Sequence, residues 1–182
     1  MRLDISHTAS LRLREEKDAE DMLALVHRNR DHLSPWLPWA ASYHSIEDAR
    51  TSILSHQQQA KEGQSLCLGL WIEEVLAGMV SFTHIDQVRN KASLGYWICQ
   101  DHMGQGKMHR ACSRLLEYGF LELELGSIQA ESAARNEASI RVLLRLGFRK
   151  TGTVKGPDWA QKRGLEYLRF RMGKEDWSTE RD

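Results

Sequence analysis

The segment Tyr96-Trp-Ile-Cys-Gln-Asp-His-Met-Gly-Gln-Gly-Lys-Met-His109 holds the residue types most ready for binding chemistry. A strand-like run ends, Gly104 and Gly106 follow in a short loop, and a helical pattern begins at once. Glycines let the backbone bend so that successive N–H groups face one point. A helix N-terminus adds roughly half a positive charge. Together they make an anion site suited to a pyrophosphate. The same glycines also suit a plain tight strand-to-helix turn. A P-loop would need Gly-x-x-x-x-Gly-Lys-[Ser/Thr], but Met108 follows Lys107 and Asp101 holds the first glycine's place. A dinucleotide fingerprint would need a third glycine where His109 stands. Neither pattern fits.

Those residues sit in a chain of 182 residues and 20.9 kDa, with 25 Lys and Arg against 25 Asp and Glu. The length predicts one domain over 1–182 with a sizeable core. The zero balance speaks against a general nucleic-acid binder. The longest apolar stretch, Leu66 to Ile72, is far short of the ~20 residues that cross a bilayer. The N-terminus has no apolar core or small-residue cleavage site, so no signal peptide is expected. Cys67, Cys99 and Cys112 form no CxxC pair and lie in apolar contexts. They read as buried free thiols, which suits a reducing cytoplasm. His102 and His109 are seven apart, not at the spacing of a ligand pair, so no metal is expected.

The elements that must position the loop follow from periodicity. Leu11-Arg-Leu-Arg alternates as a strand, and helical spacing starts at Asp18. His32-Leu-Ser-Pro-Trp-Leu-Pro-Trp39 cannot be a regular helix interior. Ser45 and Asp48 form a capping-box pattern for a helix to about Lys61. Ser65–Ile72 and Val75–His84 flank Glu73-Glu74 as a hairpin, and Ala92–Ile98 adds a third strand. A long helix runs from about Gly106 to Glu124, then a strand over Ile128–Ala133. Asn136 caps a helix ending at Gly147, with Ser139 at its third position, and strands fit Arg149–Val154 and Glu166–Met172. The order predicts a mixed α/β layer fold.

Four segments in this order resemble the GNAT N-acetyltransferases, in particular the RimJ/RimL-type ribosomal-protein branch. The donor-loop motif of that family, [Gln/Arg]-x-x-Gly-x-[Gly/Ala], is similar to Met103-Gly-Gln-Gly-Lys-Met108, with Met103 and Met108 departing at the first and last positions. Asn29 to Trp39 resembles the branch's segment between the first two helices. Gly95-Tyr-Trp-Ile98 resembles its fourth strand, and Asn136-Glu-Ala-Ser139 with Leu146-Gly-Phe148 its second cofactor-side helix. The resemblance covers nearly the whole chain, to Trp177. It implies an α/β GNAT fold: a mostly antiparallel six- to seven-stranded sheet with one splayed strand pair and about four helices. It implies acetyl-CoA as donor and no metal.

The resemblance also implies roles. Trp97 or Ile98 would offer a backbone N–H to the thioester carbonyl. Met103, Gly104, Gln105, Gly106, Lys107, Met108 and His109 would hold the pyrophosphate. Ser139 becomes the candidate general acid, although it is equally just a first-turn residue capped by Asn136, which is either a cap alone or a cofactor contact too. Asp158 becomes the candidate base, against a solvated turn residue favoured by Pro157. Trp36 and Trp39 either wall an acceptor groove or lock the first helices to the sheet. Tyr96 reaches the same groove or the core. The implied acceptor is a protein or peptide N-terminus, with ribosomal proteins as the branch's targets. No nucleic acid or membrane is implied, and the enzyme would be a cytoplasmic homo-oligomer, a dimer. A small-amine acetyltransferase and a non-catalytic coenzyme A-binding regulator remain as alternatives.

Overall fold

Leu66-Cys-Leu-Gly-Leu-Trp-Ile72 has no polar face to give to water, so it must lie inside a sheet covered on both sides. The computed structural model, which describes residues 1–177, places it there as β3 (Leu66–Ile72), with all seven residues buried. Before it come β1 (Arg2–Ser6), β2 (Ala9–Leu13), α1 (Ala19–Arg28), the single turn α2 (Arg30–Leu33) and α3 (Ile46–Lys61). After it come β4 (Val75–Asp86), β5 (Lys91–Ile98), α4 (Lys107–Leu121) and β6 (Ser127–Ala133). The chain continues through α5 (Glu137–Leu146), β7 (Arg149–Val154), α6 (Asp158–Lys162) and β8 (Tyr167–Gly173).

The strands form one sheet in the order β1-β2-β3-β4-β5-β6-β8-β7. Every pair is antiparallel except β5–β6. Parallel neighbours need a long crossover, and α4 supplies it. Its buried stripe of Met108, Ala111, Cys112, Leu115, Leu116 and Phe120 packs on the sheet. At Gly119 an added Cβ would lie 2.6 Å from the Phe82 ring, so only glycine lets the helix come this close. The β5–β6 ladder runs from Lys91↔Ser127 to Leu94↔Ala130 and stops. From there the two strands part, which is the expected splay.

Local signals act as anticipated at several ends. Ser45 Oγ accepts the Asp48 N–H at 3.2 Å while Asp48 Oδ2 accepts the Ser45 N–H at 2.8 Å. Asn136 Oδ1 accepts the Ser139 N–H at 3.2 Å, and Gly147 closes α5 with φ of 92°. The three cysteines are buried and free. No helix among the described residues is long and apolar enough to cross a membrane.

Among the described residues there are eight strands in the sheet and six α-helices, more than the six to seven strands and four helices expected. The extra strand β1 is five residues long, and its turn to β2 carries no glycine, asparagine or proline to announce it. Its place is fixed by β2 and by α4, whose Arg114 Nε donates to the Asp4 carbonyl at 3.3 Å. The added helices are short. α2 is one turn, and α6 is five residues that begin directly after Pro157, its N-cap. Asp158 is therefore the first residue of a helix and not part of an open turn.

Arg14, only 2% exposed, closes the end of β2, and its Nη2 donates to His56 Nδ1 of α3 at 2.7 Å. Burial, reinforced by the guanidinium, pushes His56 down to about 4. The unfolded chain, with an ordinary histidine near 6.5, binds the proton more readily. Stability from this pair is therefore complete above pH 6.5 and is lost as the pH falls toward 4, by at most about 3 kcal/mol. Urea unfolding at pH 7 and pH 4.5 should show this loss, and His56→Gln should flatten it. Equal pH dependence in both proteins would reject the assignment.

Candidate active site

The anion loop is built by backbone conformation. β5 ends with the Cys99 N–H donating to Ala77 O at 2.8 Å. A tight turn, Gln100–His102, leads to Gly104 (φ 72°) and Gly106 (φ 71°). A Cβ at either would meet open space, so it is the left-handed backbone and not crowding that calls for glycine. Gly106 is the N-cap of α4, and its carbonyl accepts the Arg110 N–H at 3.1 Å. The N–H groups of Lys107, Met108 and His109 have no acceptor within the helix. Asn29, 6% exposed at the end of α1, pins the loop from behind. Its Oδ1 accepts the Gln100 N–H at 2.9 Å and its Nδ2 donates to Leu25 O at 2.9 Å.

A cleft of about 1300 Å³ opens where β5 and β6 separate. It brings together Trp36, Trp39, Tyr96, Trp97, Ile98, Met103, Gly104, Gly106, Lys107, Met108, His109, Asn136 and Ser139. Two expected residues stand outside its lining. Gln105 turns away, donating through Nε2 to Asp101 O at 2.9 Å, and staples the loop. Asp158 is exposed at the start of α6, while its neighbours Pro157 and Trp159 do line the cleft. A smaller hollow of about 920 Å³ beside β2 and α3 contains none of these residues.

Trp36 is half-buried and Trp39 is 37% exposed. Trp39 lies 6.0 Å from Trp97 and 5.6 Å, edge-on, from Tyr43. Both tryptophans line the cleft. Tyr96 lines the same cleft. Its hydroxyl is 2.9 Å from Ser139 O and 3.0 Å from Ser139 Oγ. It is a wall residue whose polar tip is spent on α5.

Charge is distributed unevenly along the cleft. His102, Lys107, His109, Arg135, Arg141 and Arg145 line it. His102 Nδ1 and Lys107 Nζ are 2.9 Å apart; burial first, then the lysine, lowers the histidine's pKa. Burial also lowers that of His109. The carboxylates lining the cleft are Glu131, held by Arg169 at 2.8 Å, and Glu137, held by Arg141 at 3.3 Å. Sequence reasoning missed Arg141 and Arg145, although a four-residue spacing on a capped helix puts both on one face. It also missed Trp159 and Tyr167, 6.4 Å apart, whose positions depend on α6. An anion-binding loop, a positive flank, aromatic walls and a hydroxyl at the strand gap suit a phosphate-bearing donor and a second substrate meeting at one point.

The acetyltransferase (GNAT) domain family matches residues 10–149. A ribosomal N-acetyltransferase candidate of Bacillus subtilis (strain 168), YdaF, is 31% identical over 97% of both chains. The ribosomal-protein-serine acetyltransferase of Escherichia coli (strain K12) is 26% identical, over 84% of this chain and 86% of its own. Among solved structures, RimL, a ribosomal L7/L12 α-N-protein acetyltransferase in complex with coenzyme A, superposes with a TM-score of 0.88 at 21% identity. That match covers 95% of this chain and 98% of the other.

Two substitutions test the loop's construction. Gly106→Ala should cost about 1–2 kcal/mol in urea unfolding, since a left-handed non-glycine residue is strained even with open space around it. Asn29→Ala should cost about 1–3 kcal/mol by orphaning the Gln100 N–H and speed amide exchange over residues 100–106. Unaltered exchange there would show that Asn29 does not hold the loop.

Proposed function

The chain belongs to the GNAT acetyltransferase family, whose members use acetyl-CoA, and we propose that it acetylates the N-terminal α-amine of a protein, with ribosomal proteins the first acceptors to try. The observation that carries this reading is the state of the cleft's carboxylates. Glu131 and Glu137 each face an arginine, and with Lys107, Arg135 and Arg145 also in the lining a polyamine or an aminoglycoside meets no net negative charge there. Trp36, Trp39, Trp159 and Tyr167 instead present flat walls between which an extended peptide end can lie. The names of the relatives point the same way.

In this reading the pyrophosphate sits on the N–H groups that open α4, with Met103 covering it and Asn136 holding the facing turn. The thioester lies in the gap between β5 and β6. A backbone N–H at Trp97 or Ile98 polarises its carbonyl. The amine nitrogen attacks the acyl carbon, the carbon–sulfur bond breaks, and Ser139 donates its proton to the sulfur and recovers one from solvent. Asp158 takes the proton that the amine loses, through water, because its side chain lies outside the lining. An α-amine, with a pKa of ~7.7–8.0, is roughly 10–20% neutral at pH 7, against about 0.04% for a lysine. A distant base is therefore sufficient for a protein N-terminus and poor for a lysine.

Thiol release from acetyl-CoA, measured with Ser-, Ala- and Met-initiated peptides, polyamines and aminoglycosides, tests the reading. Turnover should be confined to peptides and vanish when their α-amine is blocked; preference for a small amine would reject it. Ser139→Ala should lower kcat by about 100-fold and Asp158→Asn by about tenfold. Unchanged kcat in both would remove these two assignments.

A further inference from the structure

We propose that Tyr96 is a positioning residue for Ser139: its hydroxyl decides which way the serine proton points. The inference rests on the role given to Ser139 above. Tyr96 lies on β5 just past Leu94, where the strand has left β6, and its side chain reaches across the gap to the first turn of α5. There its oxygen is within hydrogen-bond distance of both Ser139 O, at 2.9 Å, and Ser139 Oγ, at 3.0 Å.

Three oxygens share two protons in this cluster, and the carbonyl can only accept. Two arrangements satisfy it. In the first, Tyr96 donates to the Ser139 carbonyl and Ser139 donates to Tyr96, so the serine proton is turned away from the cleft. In the second, Tyr96 donates to Ser139 Oγ, and the serine proton is released toward the cleft. The carbonyl is not orphaned by the change, because it also accepts the helical N–H four residues on. Interconversion needs only the rotation of two hydroxyl groups. Negative charge developing on a sulfur in the cleft selects the second arrangement. Burial raises the tyrosine's pKa, so Tyr96 stays protonated throughout and orients the serine without giving up its own proton.

The test is a double-mutant cycle on thiol release from acetyl-CoA, with a Ser-initiated peptide as acceptor and with water alone. Tyr96→Phe should lower kcat by about tenfold and leave KM for acetyl-CoA within about twofold. Adding it to Ser139→Ala should cause no further loss, because the tyrosine acts only through the serine. Additive losses, or a Tyr96→Phe enzyme as fast as the parent beside a crippled Ser139→Ala, would overturn this proposal and leave the role of Ser139 standing. A fully active Ser139→Ala enzyme removes the role of Ser139 and this inference together. Difluorotyrosine at position 96 keeps the shape and the fold while making the phenol a stronger donor. Its oxygen is also a weaker acceptor for the Ser139 proton, which disfavours the first arrangement and should raise kcat, and an unchanged kcat counts against the proposal.

Discussion

The end of the β5–β6 ladder is the constraint on which the rest of the molecule depends. Two parallel strands that stay paired leave no room between them, and two that never pair leave the sheet in halves. Here four register pairs, Lys91↔Ser127 to Leu94↔Ala130, hold the halves together, and the remaining length of each strand is released. Released strands still need partners for their backbone groups. β5 keeps β4, through Met79↔Trp97 and Gly78↔Ile98, and β6 keeps β8, through Glu131↔Arg169 to Ala133↔Tyr167. At Gly78 an added Cβ would collide with the Trp97 carbonyl, so the close β4–β5 approach that stiffens this edge depends on a glycine. The gap is open because its two banks are secured elsewhere.

Both helices that frame the gap present N-termini to it, but they are finished differently. α4 begins at a left-handed glycine with no side-chain cap, so its first N–H groups remain available to an anion. α5 is capped by Asn136, which takes up the Ser139 N–H. One end keeps its first donors uncapped, and the other is completed by a side chain that holds the serine on it. The loop relies on backbone more than on side chains, which explains how Met103 and Met108 can stand where the family motif has other residues.

Much of this was legible in the sequence because it rests on local rules. The Gly104–Gly106 turn, the Ser45 and Asn136 caps, the Gly147 stop and the buried run at Leu66–Ile72 each follow from residue type and spacing. What was not legible depends on contacts distant in sequence. β1 exists because β2 and α4 receive it. Tyr96 meets Ser139 across 43 positions of sequence, and alternation along a strand gives its face but not its partner. Asp158 is a candidate through family resemblance, and resemblance says nothing about the direction of a side chain at the start of a helix. Gln105, adjacent to two cleft glycines, turned out to brace its own loop.

Asn29 stands where α1 gives way to α2, and the chain beyond it carries Leu33 and then Trp36 into the lining of the cleft. The same amide holds Gln100 at the root of the anion loop. The Gly104–Gly106 loop and the tryptophan segment thus share a single pin. Neither segment can shift at this point without moving a bond that the other depends on, so their spacing is a property of the joint and not of either alone.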